Sequence, residues 1–206
     1  MTLDIGSAAP DFTLKNQHGE DISLSSFRGD KNVVLVFFPF AFSGICTGEL
    51  TDIRDHLADF GDAEVLAISC DHFFSNRAFA DRDEYSFSIL SDFWPHGEVS
   101  RAYGTFNEGA GAPDRGSYVI DREGVLRWKV ENGISDARDL GAYFRALSEL
   151  SGNLRRLGCA STCPCGLIFL PRLPGTRDLG SLGFFRARRL RGFGPERTSA
   201  VVCRWS

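Results

Sequence analysis

One cysteine stands where its thiol could act as a nucleophile. Cys46 follows the loop sequence PFAFSGI at residues 39–45, which joins a continuously apolar run at 32–38 to an amphipathic pattern. A thiol at the start of a helix meets unpaired backbone N–H groups and the positive end of the helix dipole, and both favour thiolate over thiol. Because the thiolate is the reactive form of cysteine, this placement predicts a redox or nucleophilic site at Cys46.

Two residues of the loop before Cys46 suit the same chemistry. Ser43, three residues upstream, can point a hydroxyl at the group that the sulfur attacks. Pro39 has no backbone N–H and can shield the sulfur from water. A cysteine that follows an apolar strand is by itself more often part of a packed core than a nucleophile. The case for catalysis therefore depends on the combination of these residues.

The elements that would position this loop follow from the hydrophobic pattern. Apolar runs at 32–38 and 64–70 predict buried central strands, and apolar residues recur at helical spacing from Ile45 to Phe60, before a predicted stop at Gly61. The other predicted elements are an N-terminal hairpin at 12–24, a helix at 75–82, a strand at 87–90, a helical turn at 98–103, a hairpin at 117–130 and a final helix at 139–150. Strands that alternate with helices before a late hairpin predict an α/β fold, with a mixed central sheet and helices on both faces.

The charge distribution divides the chain near residue 150. Residues 1–150 hold 25 acidic and 13 basic side chains, whereas residues 151–206 hold ten arginines, no lysine and two acidic residues. The second segment has no sustained helical or strand period and carries four of the six cysteines. We therefore predict one folded domain at 1–150 and a basic tail at 151–206, rich in arginine, glycine and cysteine, that is disordered or not under selection.

Three interpretations of this tail are open. It could be a basic arm that binds nucleic acid or another acidic surface. It could hold a metal through Cys159, Cys163, Cys165 and the distant Cys203, although no histidine completes a usual zinc pattern. It could also be an extension produced by read-through or a frame error, because lysine disappears abruptly where a compact domain would end. We favour the last interpretation, and we expect neither a metal site nor a nucleic-acid partner.

The composition also argues against several classes of protein. No stretch approaches the roughly 18 consecutive apolar residues of a transmembrane helix, so no membrane association is expected. The N-terminal sequence MTLDIG has neither a basic segment nor an apolar signal core, which favours a cytoplasmic location. The glycines at 107–111 lie in no phosphate-binding or dinucleotide-binding motif, so no cofactor is expected.

Four segments of the chain resemble the peroxiredoxin family. Residues 5–14 are similar to its N-terminal segment, and Pro39, Ser43 and Cys46 fit its active-site pattern of proline, then threonine or serine, then the peroxidatic cysteine. Residues 114–121 look like the segment that supplies the family's active-site arginine, which here would be Arg115. Residues 90–97, continued at 102–108, resemble in particular the actinobacterial one-cysteine alkyl hydroperoxide reductase E group. The resemblance spans about residues 1–150.

This resemblance implies a thioredoxin-like peroxiredoxin fold and a peroxidase that reduces hydrogen peroxide and organic hydroperoxides. Cys46 would attack a peroxide oxygen and become a sulfenic acid. The permanent charge of Arg115 would keep the sulfur ionised, and Ser43 would hydrogen-bond the peroxide. Glu49, one helical turn after Cys46, either holds an arginine or favours the first turn of the helix through its charge. A homodimer is also implied.

The sequence leaves open which thiol reduces the sulfenic acid. Related proteins carry a resolving cysteine five residues after the first, and here that position is Thr51, which favours a one-cysteine mechanism with an external thiol. Mycothiol with a mycoredoxin, thioredoxin and glutathione are all compatible reductants. Cys70 is either a core residue or a resolving thiol, and a tail cysteine could also resolve. A thiol–disulfide carrier is disfavoured, because Thr47, Gly48 and Glu49 follow Cys46 where a second cysteine would be needed.

Overall fold

The structure is a computed structural model that describes residues 3–157, with side chains described through residue 150. Nine strands and four helices lie in this range. The strands are β1 (Thr13–Asn16), β2 (Asp21–Ser23), β3 (Val33–Phe37), β4 (Glu64–Ser69), β5 (Ser88–Ser91), β6 (Phe106–Asn107), β7 (Ala112–Pro113), β8 (Arg115–Ile120) and β9 (Leu126–Asn132). The helices are α1 (Gly44–Asp55), α2 (Phe73–Asp83), α3 (Glu98–Ala102) and α4 (Leu140–Leu157), with short 3-10 helices at Leu24–Phe27 and Leu57–Phe60.

Seven strands form one mixed sheet in the order β2-β1-β5-β4-β3-β8-β9. The central strands β3, β4 and β5 are parallel, whereas β8 pairs antiparallel with β3 and β1 pairs antiparallel with β5. The predicted N-terminal hairpin is present as β1 and β2, and the late hairpin as β8 and β9. The small ribbon of β6 and β7 was not predicted, because two-residue strands carry no periodic signal.

Helices cover both faces of this sheet, as predicted. Alternate residues of β3 enter two separate cores, because successive side chains of a strand point to opposite faces. Val34 and Val36 pack in a cluster with residues of α1, α2 and α4, whereas Leu35 and Phe37 pack with residues of α3 and the N-terminal segment. All five residues of β3 are buried, which accounts for its continuously apolar sequence.

Two predicted helix boundaries were wrong. The helix after Cys46 ends at Asp55, and a separate 3-10 helix then runs to Phe60, because His56 leaves the helical backbone region at φ −112°. The predicted stop at Gly61 ends this second element, where φ is +65°. Helix α4 continues to Leu157 rather than ending at Leu150. Leucines at 147, 150, 154 and 157 continue the helical spacing across the predicted end.

The predicted tail lies outside the described residues from residue 158 onwards, and its three interpretations stay predictions. No helix within residues 3–157 is long and apolar enough to cross a membrane. The same part of the chain contains no group of three or more histidine, cysteine, aspartate or glutamate side chains that could hold a metal ion.

Candidate active site

The loop that carries the predicted site connects the centre of the sheet to α1. It leaves β3 at Phe37 and passes through the buried Pro39 to Ser43, the N-cap residue of α1. The side-chain carboxylate of Asp71, which follows β4, accepts a hydrogen bond of 2.8 Å from the Ala41 backbone N–H. The loop is therefore held at the carboxyl ends of two adjacent parallel strands.

Cys46 lies in the first turn of α1, and its side chain is fully buried. The first helical hydrogen bond runs from Thr47 N–H to the Ser43 carbonyl at 2.9 Å. The N–H groups of residues 44–46 precede that bond and have no partner within the helix. The structure thus places the sulfur at the helix end where unpaired donors favour an anion, as the sequence predicts.

Arg115 points its guanidinium at this sulfur from the first residue of β8. Its Nη2 lies 3.4 Å from Cys46 Sγ, and its Nε donates a hydrogen bond of 2.7 Å to the Ile134 carbonyl. The side chain is almost fully buried. A guanidinium stays charged at all ordinary pH values, so the buried sulfur has a permanent cation beside it.

Glu49, one helical turn after Cys46, forms ion pairs with two arginines, Arg115 and Arg138. Its carboxylate forms an ion pair with Arg115 and accepts three hydrogen bonds from Arg138, from the backbone N–H at 2.8 Å, from Nε at 3.2 Å and from Nη2 at 2.9 Å. Of the two roles predicted for Glu49, the structure therefore places it as the residue that holds an arginine. Two cations and one carboxylate leave one positive charge uncompensated, and a thiolate at Cys46 would neutralise it.

Arg138 also ties this cluster to the sheet. Its Nη1 donates to the carbonyls of Phe37 and Gly116 and to Ser117 Oγ, at 2.8 to 2.9 Å. These acceptors lie on β3 and β8, two neighbouring strands of the sheet. Charge-assisted hydrogen bonds donated by the buried guanidinium fix the position of Arg138, and through Glu49 they fix the position of Arg115.

Ser43 and Pro39 lie in the loop between β3 and α1, and their roles at the sulfur stay predictions. Ser43 caps α1 by backbone conformation alone, since its side chain makes no capping hydrogen bond. The hydroxyl is therefore not used by the helix terminus. A serine at an N-cap usually accepts a hydrogen bond there from a backbone N–H of the first turn. Pro39 is buried, where its missing N–H leaves no unsatisfied donor.

Comparison with known proteins identifies the family of this chain. A family model described as the AhpC/TSA family matches residues 5–129, more than half of the chain. Alkyl hydroperoxide reductase E of Mycobacterium tuberculosis is 46% identical over 151 residues, which cover 72% of this chain and 99% of that protein. The chain belongs to the AhpC/TSA family. It is a peroxiredoxin, an enzyme of the peroxidase class.

A second sequence relative and a solved structure also match this peroxiredoxin. Chloroplastic peroxiredoxin Q of Triticum aestivum is 34% identical over 148 residues, which cover 70% of this chain and 67% of the relative. The crystal structure of AhpC from Enterococcus faecalis superposes with a TM-score of 0.68 at 25% identity, and the match covers 80% of this chain and 100% of that one. The predicted thioredoxin-like peroxiredoxin fold is confirmed.

Sequence reasoning missed Arg138. In the peroxiredoxin it lies in the segment Ser135-Asp136-Ala137-Arg138-Asp139 between β9 and α4, which has the composition of a solvated loop. No local period or motif distinguishes this arginine from a surface charge. Only the long-range pairing with Glu49, 89 residues away in sequence, shows that its side chain is buried.

Cys70 follows β4 directly and is a second free, buried thiol of the peroxiredoxin domain. Burial raises the pKa of this thiol to about 12, and the nearby carboxylate of Asp92 adds to the rise. At neutral pH the group is therefore a thiol rather than a nucleophilic thiolate. These properties favour the core interpretation of Cys70 over the resolving one.

Proposed function

We propose that this peroxiredoxin reduces hydrogen peroxide and organic hydroperoxides with Cys46 as its nucleophile, and that an external thiol recycles it. The observation that carries this proposal is the distance of 3.4 Å between Arg115 Nη2 and Cys46 Sγ, inside a buried cluster with Glu49 and Arg138. A permanent cation against a buried sulfur favours the anionic form that attacks peroxides.

The first half-reaction is a nucleophilic substitution at oxygen. The Cys46 thiolate attacks one peroxide oxygen, an S–O bond forms and the O–O bond breaks. The departing oxygen takes a proton and leaves as water or an alcohol, while the sulfur, oxidised by two electrons, becomes a sulfenic acid. Arg115, the Ser43 hydroxyl and the free N–H groups of the first turn supply donors to the oxygen on which charge grows.

The second half-reaction returns the sulfenic acid to a thiol. An external thiol attacks the Cys46 sulfur, a mixed disulfide forms and the oxygen leaves as water. A second thiol then attacks the mixed disulfide and releases Cys46. Two observations support this one-cysteine route: Thr51 stands where related proteins carry a resolving cysteine, and Cys70 is a buried thiol with a pKa of about 12.

The candidate reductants are mycothiol with a mycoredoxin, thioredoxin and glutathione. The similarity to a mycobacterial alkyl hydroperoxide reductase E favours the first of these. On the same resemblance we expect a homodimer. The cytoplasmic location expected from the N-terminal sequence, and the absence of a nucleic-acid partner expected for the tail, stay predictions.

Intact-mass spectrometry after one equivalent of peroxide tests the proposed chemistry. We expect a gain of one oxygen located at Cys46 and its removal by added thiol. A loss of two hydrogens instead would mean that Cys70 or a tail cysteine resolves the sulfenic acid. The same measurement on Cys70→Ser tells these two resolving positions apart, because the loss would persist only if a tail cysteine were responsible.

A further inference from the structure

The cluster of Glu49, Arg115 and Arg138 has a buried neighbour that the proposed mechanism does not use. Tyr143 lies in the first turn of α4, and its hydroxyl is 2.6 Å from Ser117 Oγ on β8. The same serine oxygen accepts a hydrogen bond of 2.9 Å from Arg138 Nη1. The tyrosine on α4 is therefore separated from the guanidinium by a single side chain.

The Tyr143 hydroxyl determines how the Ser117 hydroxyl is turned. A serine hydroxyl has one proton and two lone pairs, whereas a guanidinium can only donate. Ser117 must therefore turn a lone pair towards Arg138, and its own proton needs an acceptor elsewhere. Within the described residues, Tyr143 Oη is the one other hydrogen-bond partner of Ser117 Oγ. The tyrosine thus keeps the serine in the orientation that binds the arginine.

The ring of Tyr143 is held by contacts that do not involve its hydroxyl. Its centre lies 5.5 Å from that of the Trp128 ring and 6.1 Å from that of the Phe60 ring. Burial raises the pKa of Tyr143, so its hydroxyl is neutral at ordinary pH and acts through hydrogen bonding rather than through charge. Removing only the oxygen should therefore preserve the packing of α4.

The hydrogen bonds continue from Arg138 to the nucleophile. Arg138 donates three of them to the Glu49 carboxylate, and the same carboxylate pairs with Arg115. Arg115 Nη2 in turn lies 3.4 Å from Cys46 Sγ. All three charged side chains are almost fully buried, so water does not screen a change in their positions. The Tyr143 hydroxyl and the Cys46 sulfur are thus the two ends of one buried network.

We propose that Tyr143 is a positioning residue of the active site, which acts through Ser117 to hold the charged cluster against the Cys46 sulfur. With the hydroxyl present, the Arg115 guanidinium stays where it favours the thiolate. Without it, Ser117 is free to turn its proton towards Arg138, and the cluster loses one of the hydrogen bonds that hold it to β8. The inference rests on the proposed function.

Two single variants, their combination and one control test this role. Tyr143→Phe removes the hydroxyl and keeps the ring, and Ser117→Ala removes the group that connects the tyrosine to the arginine. Tyr103→Phe is the matched control, because Tyr103 is also buried but lies in the other core, where its hydroxyl donates to the Pro10 carbonyl at 2.8 Å. For each protein, mass spectrometry measures the rate at which iodoacetamide alkylates Cys46 as a function of pH.

We expect Tyr143→Phe to raise the pH midpoint of Cys46 alkylation by about 0.5 to 1, the scale of one lost buried hydrogen bond, because the thiolate is less well stabilised. Oxidation by hydrogen peroxide at neutral pH should slow by about three- to tenfold for the same reason. Tyr103→Phe should change neither quantity. A purely structural role would alter the alkylation rate at every pH and leave the midpoint in place, and that result would overturn the proposal. So would an equal shift in the control.

The combined variant tests the route. Because Tyr143 acts through Ser117, adding Tyr143→Phe to Ser117→Ala should leave the midpoint where Ser117→Ala alone puts it. Shifts that add would mean that the tyrosine acts by another path, against the proposal. The proposed function fails differently, since wild-type Cys46 would then gain no oxygen from peroxide. The alkylation midpoint would still report the effect of Tyr143 on the thiol, so the two failures can be told apart.

Discussion

Cys46 and Cys70 lie beyond the carboxyl ends of adjacent parallel strands, and their surroundings differ in charge. Both are free and buried, with 0% and 7% of their surface exposed. Cys46 stands at the start of a helix with the Arg115 guanidinium 3.4 Å from its sulfur. Cys70 follows β4 without such a cation at hydrogen-bonding distance, and burial together with the Asp92 carboxylate raises its pKa to about 12.

The comparison shows that burial does not by itself decide what a cysteine does. Removing a thiol from water disfavours its anion, and a nearby carboxylate adds to that cost, as at Cys70. A buried cation and unpaired helix N–H groups act in the opposite direction, and both are present at Cys46. Neighbouring charge and backbone polarity thus distinguish a candidate nucleophile from a core residue on the same sheet.

The largest predicted effect tests the comparison directly. Cys46→Ser should reduce hydroperoxide consumption to the uncatalysed background, because no other thiol within the described residues stands beside a buried cation. Cys70→Ser should keep a rate close to that of the wild type. Peroxide consumption in the presence of an excess of external thiol measures both. Sustained turnover by Cys46→Ser would assign the chemistry to another cysteine.

The second prediction removes the cation. Arg115→Ala should slow oxidation of Cys46 by about 10²- to 10³-fold, the scale of one lost donor that stabilises charge in the transition state. Stopped-flow measurement under single-turnover conditions isolates this step. Arg145→Ala, which removes an exposed arginine paired with Asp139, is the control and should leave the rate unchanged. A rate for Arg115→Ala equal to that of the control would exclude Arg115 from the mechanism.

The third prediction concerns the carboxylate between the two arginines. Glu49→Gln should lower the free energy of unfolding by about 3 kcal/mol, because it leaves two buried guanidinium groups without their shared counter-charge. Urea denaturation measures the change. Glu64→Gln is the matched control, since its partner Lys31 is exposed and such pairs contribute little. Equal effects of the two substitutions would mean that charge does not stabilise the cluster of Glu49, Arg115 and Arg138.

The smallest predicted effect makes Cys70 slightly more like Cys46. Asp92→Asn should lower the pKa of Cys70, because the carboxylate is one cause of its rise, but burial is the larger cause and keeps the pKa well above neutral. Alkylation of Cys70 at pH 9 should therefore increase by about two- to fivefold. Asp81→Asn, at an exposed position, is the control. An unchanged rate would mean that the Asp92 carboxylate does not contribute to the inertness of Cys70.

Local sequence patterns were sufficient to predict the strands of the central sheet and the helix starts, because these depend on residues close together in the chain. The continuous apolar run predicted β3, and the change to helical spacing predicted that Cys46 begins α1. Helix ends were predicted less well. No glycine or proline marks the end at Asp55, whereas the end at Leu157 was missed although Gly158 follows it in the sequence. Arg115 was found through its resemblance to a family segment rather than through any local period.

The sequence by itself determined the strand, the loop and the helix start that place Cys46, since these follow from hydrophobic spacing over a few residues. Tertiary structure alone decided which distant charges meet the sulfur. Glu49, Arg115 and Arg138 converge from α1, β8 and the loop before α4. A single sequence does not reveal such pairs, because an arginine that will be buried beside a carboxylate has the same local context as one that stays in water.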